Sequence, residues 1–179
     1  MPRKLALAAA LIAAACALPA AGGAAPTRAA LPLQGVLVPG RTLGGVGLGD
    51  SVRRVTELWG ADFRRCDGCA LPTRFYTYDD RDATRTGLGA GVAFRGGRVV
   101  AVFTLGAPSG WRTSEGLKLG EIMPKAAEVY GNGFRWHSCV GYMAMSLAAA
   151  GSDAVTSIYT DGNVVYGFAL TNPSLSVCQ

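Results

Sequence analysis

Histidine is almost missing from this chain: there is one, His137, among 179 residues. Chemistry that needs an imidazole base, or several imidazole metal ligands, has a single place to sit. The compact catalytic signatures are missing too, with no Gly-x-Ser-x-Gly elbow and no Ser-x-x-Lys pair. The glycine clusters Gly44-Gly45-Val46-Gly47-Leu48-Gly49 and Gly87-Leu88-Gly89-Ala90-Gly91 match neither a dinucleotide fingerprint nor a phosphate loop, which requires Gly-Lys-Ser/Thr. Charged residues are scarce at 16%, while half the chain is hydrophobic, a balance that excludes extended disorder. The apolar run from Leu5 to Leu18 holds fourteen residues, short of the ~20 that an ordinary transmembrane helix needs.

That run follows Arg3 and Lys4 and leads into small residues and prolines up to Pro26. This is the order of a secretory signal, expected over residues 1–25, with cleavage after Ala20, Gly22 or Ala24. Ala13-Ala14-Ala15-Cys16 is a weak lipobox, so lipidation of Cys16 is the one route by which a membrane would enter. Without Arg3 and Lys4, fifteen basic side chains face twelve acidic ones, a charge of about +3. Such a charge calls for no nucleic acid and no anionic lipid. The expected location is outside the cytoplasm, secreted or in a bacterial envelope.

Cysteine usage fits export. Beyond Cys16, the chain holds Cys66, Cys69, Cys139 and Cys178, and four cysteines in an oxidising compartment suggest two disulfides with three possible pairings. A local Cys66–Cys69 bridge is the preferred pairing, leaving Cys139 for Cys178. A thiol-redox reading of Cys66-Asp67-Gly68-Cys69 would want a helix starting at the first cysteine, and Ala70-Leu71-Pro72 argues against one. A zinc set of Cys66, Cys69, His137 and Cys139 would leave Cys178 unpaired, and the spacing His137-x-Cys139 is not a usual zinc knuckle. A Cys139–His137 hydrolytic pair lacks an orienting partner. Asp79, Asp80 and Asp82 lack the calcium-loop glycine and glutamate, with Arg81 and Arg85 opposing a cation, so they read as a solvated loop. No cofactor is expected.

What is present is a repeated pattern. Residues 41–64 set against 112–135 give nine identities in 24 positions without a gap, including Gly45/Gly116, Leu48/Leu119, Gly49/Gly120 and Gly60/Gly131. In the first copy Val52, Val55, Leu58 and Trp59 recur at helical spacing, Asp50 or Ser51 offers a cap, and Gly60 offers an exit. Strands are predicted over Thr73–Tyr78, Ala90–Arg95 and Arg98–Leu105, with Gly96-Gly97 as a hairpin turn. The second copy predicts strands over Tyr142–Leu147 and Ala154–Tyr159, then a third after Asp161-Gly162. The expected class is α+β: two tandem repeats, each a short helix plus a three-stranded antiparallel meander, packed as one body. Residues 26–40 form a flexible leading segment, 41–106 and 112–179 the repeats, and 107–111 the linker.

The Gly-x-x-Leu-Gly-(Asp/Glu) entries, the Trp/Tyr-Gly exits at Trp59-Gly60 and Tyr130-Gly131, and the meanders resemble the β-lactamase inhibitor protein architecture. The single unit is similar to small outer-membrane assembly lipoproteins of the SmpA/OmlA type. The resemblance covers about 41–178 and implies non-catalytic binding of another protein, in the inhibitor through a sheet surface. Exposed Tyr and Trp are the natural anchors for such contact. Tyr76, Tyr78, Trp111, Trp136 and Tyr142 are therefore the candidate contact residues, with core positions as the plainer alternative. The rival class is an exported thiol-redox or zinc protein using Cys66 and Cys69.

Overall fold

The computed structural model describes residues 35–76, 89–106, 110–147 and 152–178. Tyr78, the acidic loop of Asp79, Asp80 and Asp82, and Cys16 lie outside the described residues.

Helix α1 (Val52–Trp59) forms where the apolar spacing predicted it and buries Val55 and Trp59. Ser51 is its N-cap, its hydroxyl accepting from the Arg54 amide at 3.2 Å. The Asp50 carboxylate instead accepts from the Gly47 amide at 2.8 Å, tying down the loop before the helix. Eight residues are too few for a helix to stand on its own propensity, so α1 is held by packing. Arg74 helps from outside: its guanidinium lies 4.1 Å from the Phe63 ring centroid and donates to Thr56 Oγ1 at 2.9 Å. Helix α2 (Met123–Tyr130) begins with Pro124 in its first turn, where a missing amide costs little, and buries Ala126.

Each helix entry is clamped to a distant strand by the same two bonds. The Gly49 amide donates to Val99 O at 2.8 Å, and Val99 N returns to Asp50 O at 2.9 Å. Gly120 N donates to Val165 O at 2.7 Å, and Val165 N returns to Glu121 O at 2.8 Å. Gly49 and Gly120 both sit at φ 84°, and a Cβ at either would meet nothing within 4 Å. The backbone dihedral, not crowding, demands glycine there.

The strands give an architecture different from the expected one. β4 (Arg64–Arg65), β5 (Thr73–Tyr76), β6 (Gly89–Arg95) and β7 (Arg98–Leu105) come from the first half. β9 (Phe134–Cys139), β10 (Tyr142–Leu147), β11 (Val155–Thr160) and β12 (Val165–Thr171) come from the second. They form one antiparallel sheet in the order β4-β5-β6-β7-β12-β11-β10-β9. A separate mixed sheet contains β1 (Val36–Val38), β2 (Thr42–Leu43), β3 (Val46–Gly47) and β8 (Arg112–Thr113), in the order β3-β2-β1-β8.

The α+β class, as two helix-plus-three-strand-meander repeats, is therefore corrected: the described residues are mostly β, with one eight-stranded sheet and a second small one. Three physical causes account for the difference. β7 and β12 pair directly, Phe103 opposite Ala169, so two would-be sheet edges satisfy each other's backbone groups. The cysteine-bearing stretches after each helix, where no strand was expected, supply β4 and β9. Val36–Val38, from the stretch expected to lead flexibly into the fold, pairs with β2 and runs parallel to β8.

One face of the large sheet holds the main core. Met145, Ile158 and Phe168 stand opposite one another in register across β10, β11 and β12. With Val92, Phe94, Val102 and Leu170 they pack against Val55, Trp59 and Ala126 of the helices and Leu37, Leu43 and Val46 of the small sheet. The other face carries a smaller cluster of Phe103, Ala144, Tyr159 and Ala169, joined by Tyr142, Tyr166 and Val177 of the C-terminal tail.

Candidate functional site

The structure divides the predicted contact aromatics. Tyr76 is 1% exposed and stands edge-on to Trp59 with centroids 5.4 Å apart. Trp111 is wholly buried, although it ends the stretch expected to be a linker. Both are core residues and present no contact surface. Tyr142 is half-buried on β10, edge-on to Tyr159 at 5.3 Å and Tyr166 at 5.9 Å. Trp136 is the candidate that faces water, at 53% exposure.

Trp136 occupies β9, the outermost strand on its side, which pairs only with β10 among the described residues. Strand alternation turns it to the helix-bearing face, opposite Met145. There it borders an apolar notch of about 350 Å³ whose walls include Met123, Pro124 and Ala127 of α2 and Phe134 of β9. Ile122, just before α2, is 61% exposed, and Met143 of β10 is 37% exposed. Trp136, Phe134 and Met143 thus put apolar surface at the sheet edge, the kind of surface that partner proteins cover, while Ile122 bridges to Val164 beside β12.

The opposite face of the same strand is polar. Arg135 and His137 point there, under the C-terminal tail, and line a groove of about 500 Å³ together with Ser146, Pro173, Leu175 and Val177. His137 Nε2 lies 2.8 Å from Ser146 Oγ, and that hydroxyl donates to the Arg135 carbonyl at 3.4 Å. Ser157 stands directly opposite Ser146 on β11, its hydroxyl buried and, among the described residues, without a hydrogen-bond partner. Tyr159 anchors the roof, donating its hydroxyl to Val177 O at 2.8 Å. Burial, and then the neighbouring Tyr142 and Tyr166, push its phenol well above the ordinary tyrosine range.

Both disulfides follow the preferred pairing. Cys66–Cys69 closes a turn of two residues between β4 and β5, and Cys139–Cys178 fastens the tail to the end of β9. Neither cysteine of the first pair opens a helix. With all four sulfurs bridged, the zinc set has no thiolates, and no three His, Cys, Asp or Glu side chains among the described residues gather as metal ligands. His137 lies on Ser146, not on a free Cys139. Sequence reasoning missed Ser146. The signal for it was the Val140-Gly141 turn, which sets His137 opposite Ala144 and so diagonal to Ser146.

Two disulfides mark a chain of an oxidising, extracytoplasmic compartment. No helix among the described residues is long and apolar enough to cross a membrane. No protein-family model matches this sequence, and no curated protein matches it. Among solved structures, the chain is similar to an extracellular protein containing an SCP domain from Bacillus anthracis, with a TM-score of 0.48 and 10% identity. The match covers 70% of this chain and 44% of that one, so this chain spans less than half of that protein's length.

Proposed function

We propose that this chain is an exported, non-catalytic protein-binding module whose contact surface centres on Trp136. The observation behind this reading is an indole 53% exposed on the outermost strand, beside an apolar notch built from α2 and β9–β10. A tryptophan brings a large rigid apolar area at small entropic cost, which is why it recurs among interface hot spots. The notch would receive a partner's apolar side chain, and Met143, on the same face of β10 as Met145, would flank it. The same reading was implied by the resemblance of the two glycine-entered helices, where a sheet surface does the binding. The test compares immobilised wild type with Trp136→Ala for capture of proteins from the producer's culture supernatant or envelope. A partner retained by wild type and lost by the variant supports the reading; identical captures count against it.

A further inference from the structure

The groove beneath the C-terminal tail lies across the sheet from Trp136, and its chemistry is different. We infer that it is a binding site for a carboxylate bearing a short apolar tail, supplied either as a small free acid or as the C-terminus of a peptide.

Four features carry the inference. First, the lining contains Arg135 and His137 and, among the described residues, no acidic side chain. Arg135 makes no ion pair among the described residues, so its planar fork is open to a carboxylate. Second, Ser146 Oγ lies 2.8 Å from His137 Nε2 and holds that ring at the groove wall. Third, Val155 below and Pro173, Leu175 and Val177 above give the wall an apolar stretch, beside the polar Ser138 and Ser176. Fourth, about 500 Å³ falls within the range of small-molecule sites.

The tail makes the roof a fixed one. Cys178 is bridged to Cys139, and Val177 O accepts from Tyr159, so Pro173 to Val177 are held at both chain and side-chain level. The ligand would set its carboxylate on the Arg135 guanidinium and lay its hydrocarbon along Val155, Leu175 and Val177. Because successive β9 side chains point to opposite faces, this site and the Trp136 notch are independent of each other.

The experiment is calorimetric titration of the oxidised full mature chain with hexanoate and with hexanol. A peptide ending in leucine is titrated with its C-terminus free and then amidated. We expect saturable one-to-one binding of hexanoate or of the free-ended peptide, and none of hexanol or the amide. Arg135→Gln, an exposed substitution that leaves the fold intact, should weaken that binding roughly tenfold or more. Trp136→Ala should leave it unchanged, which separates this site from the protein-binding surface. Binding of the free acid but not the peptide, or the reverse, identifies the source. Equal binding of charged and uncharged forms, indifference to Arg135→Gln, or no binding of either carboxylate would overturn the inference.

Discussion

The indole of Trp111 stands edge-on to that of Trp59, ring centroids 5.9 Å apart and planes at 77°. Trp59 closes α1 and donates its Nε1–H to Gly44 O at 2.9 Å. Trp111 immediately precedes β8, whose parallel pairing with β1 brings the second half against the small sheet. The pair thus pins the middle of the chain into the main core. A Cβ on Gly35 would come 2.5 Å from the Trp111 ring, which shows how closely the backbone of the N-terminal segment covers it. Trp111→Ala should cost about 3–5 kcal/mol of unfolding free energy, measured by urea denaturation. A loss below about 1 kcal/mol would mean that this indole is not the packed centre described.

Trp136→Ala should behave in the opposite way. Its side chain is largely in water, so the urea midpoint should move by no more than a surface substitution usually causes, within about 0.5 kcal/mol. Binding of the captured partner, measured by surface plasmon resonance, should fall by about 2 kcal/mol or more. A variant that unfolds would transfer Trp136 from the interface to the core.

Acid should weaken the fold through two carboxylates. Asp161 accepts from Val164 N at 3.0 Å and Asn163 N at 2.8 Å, and these bonds hold its carboxyl below the ordinary range. For Glu115, burial pushes upward, but hydrogen bonds from Ser114 and Tyr130 overcome it and hold the carboxyl low. A group with a lowered folded-state pKa contributes stability that is complete above the unfolded value, about 4. That contribution disappears as pH falls through the lower folded value. Urea midpoints compared at pH 5 and pH 3 should show a smaller acid loss in Asp161→Asn than in wild type, since the amide keeps the turn but cannot titrate. Equal losses would assign the acid sensitivity elsewhere.

The disulfides should differ in weight. Cys139–Cys178 spans a sequence separation of 39 and Cys66–Cys69 one of 3. Chain entropy alone gives about 4 kcal/mol for the first and about 1.5 kcal/mol for the second. Paired Cys→Ser variants measured by thermal unfolding should preserve this order. A larger loss for Cys66→Ser/Cys69→Ser would show that the short loop anchors more than its own turn.

The parts of the fold legible in the sequence are the local ones. Val52, Val55, Leu58 and Trp59 announce α1 by spacing, and Gly96-Gly97 announces the β6–β7 hairpin by its turn chemistry. The seam between β7 and β12 joins Leu105 to Gly167, some sixty residues apart, and no local pattern records that pairing. β9 escaped because its outward residues, Arg135 and Trp136 among them, are exposed on both faces and break the usual alternation of a half-buried strand. The aromatics failed to sort themselves for a related reason. Trp111 and Trp136 differ in what covers them, and coverage is a tertiary property.

The central claim is that the Trp136 edge is where another protein binds, and site-specific photo-crosslinking tests it most directly. A photoreactive amino acid is placed at position 136 or, as a control, at Arg53, whose side chain is 88% exposed on α1 away from the notch. Illumination in the presence of the producer's envelope or culture supernatant should yield one reproducible crosslinked protein from position 136 and not from position 53. No adduct at 136, or the same adducts from both positions, would contradict the account.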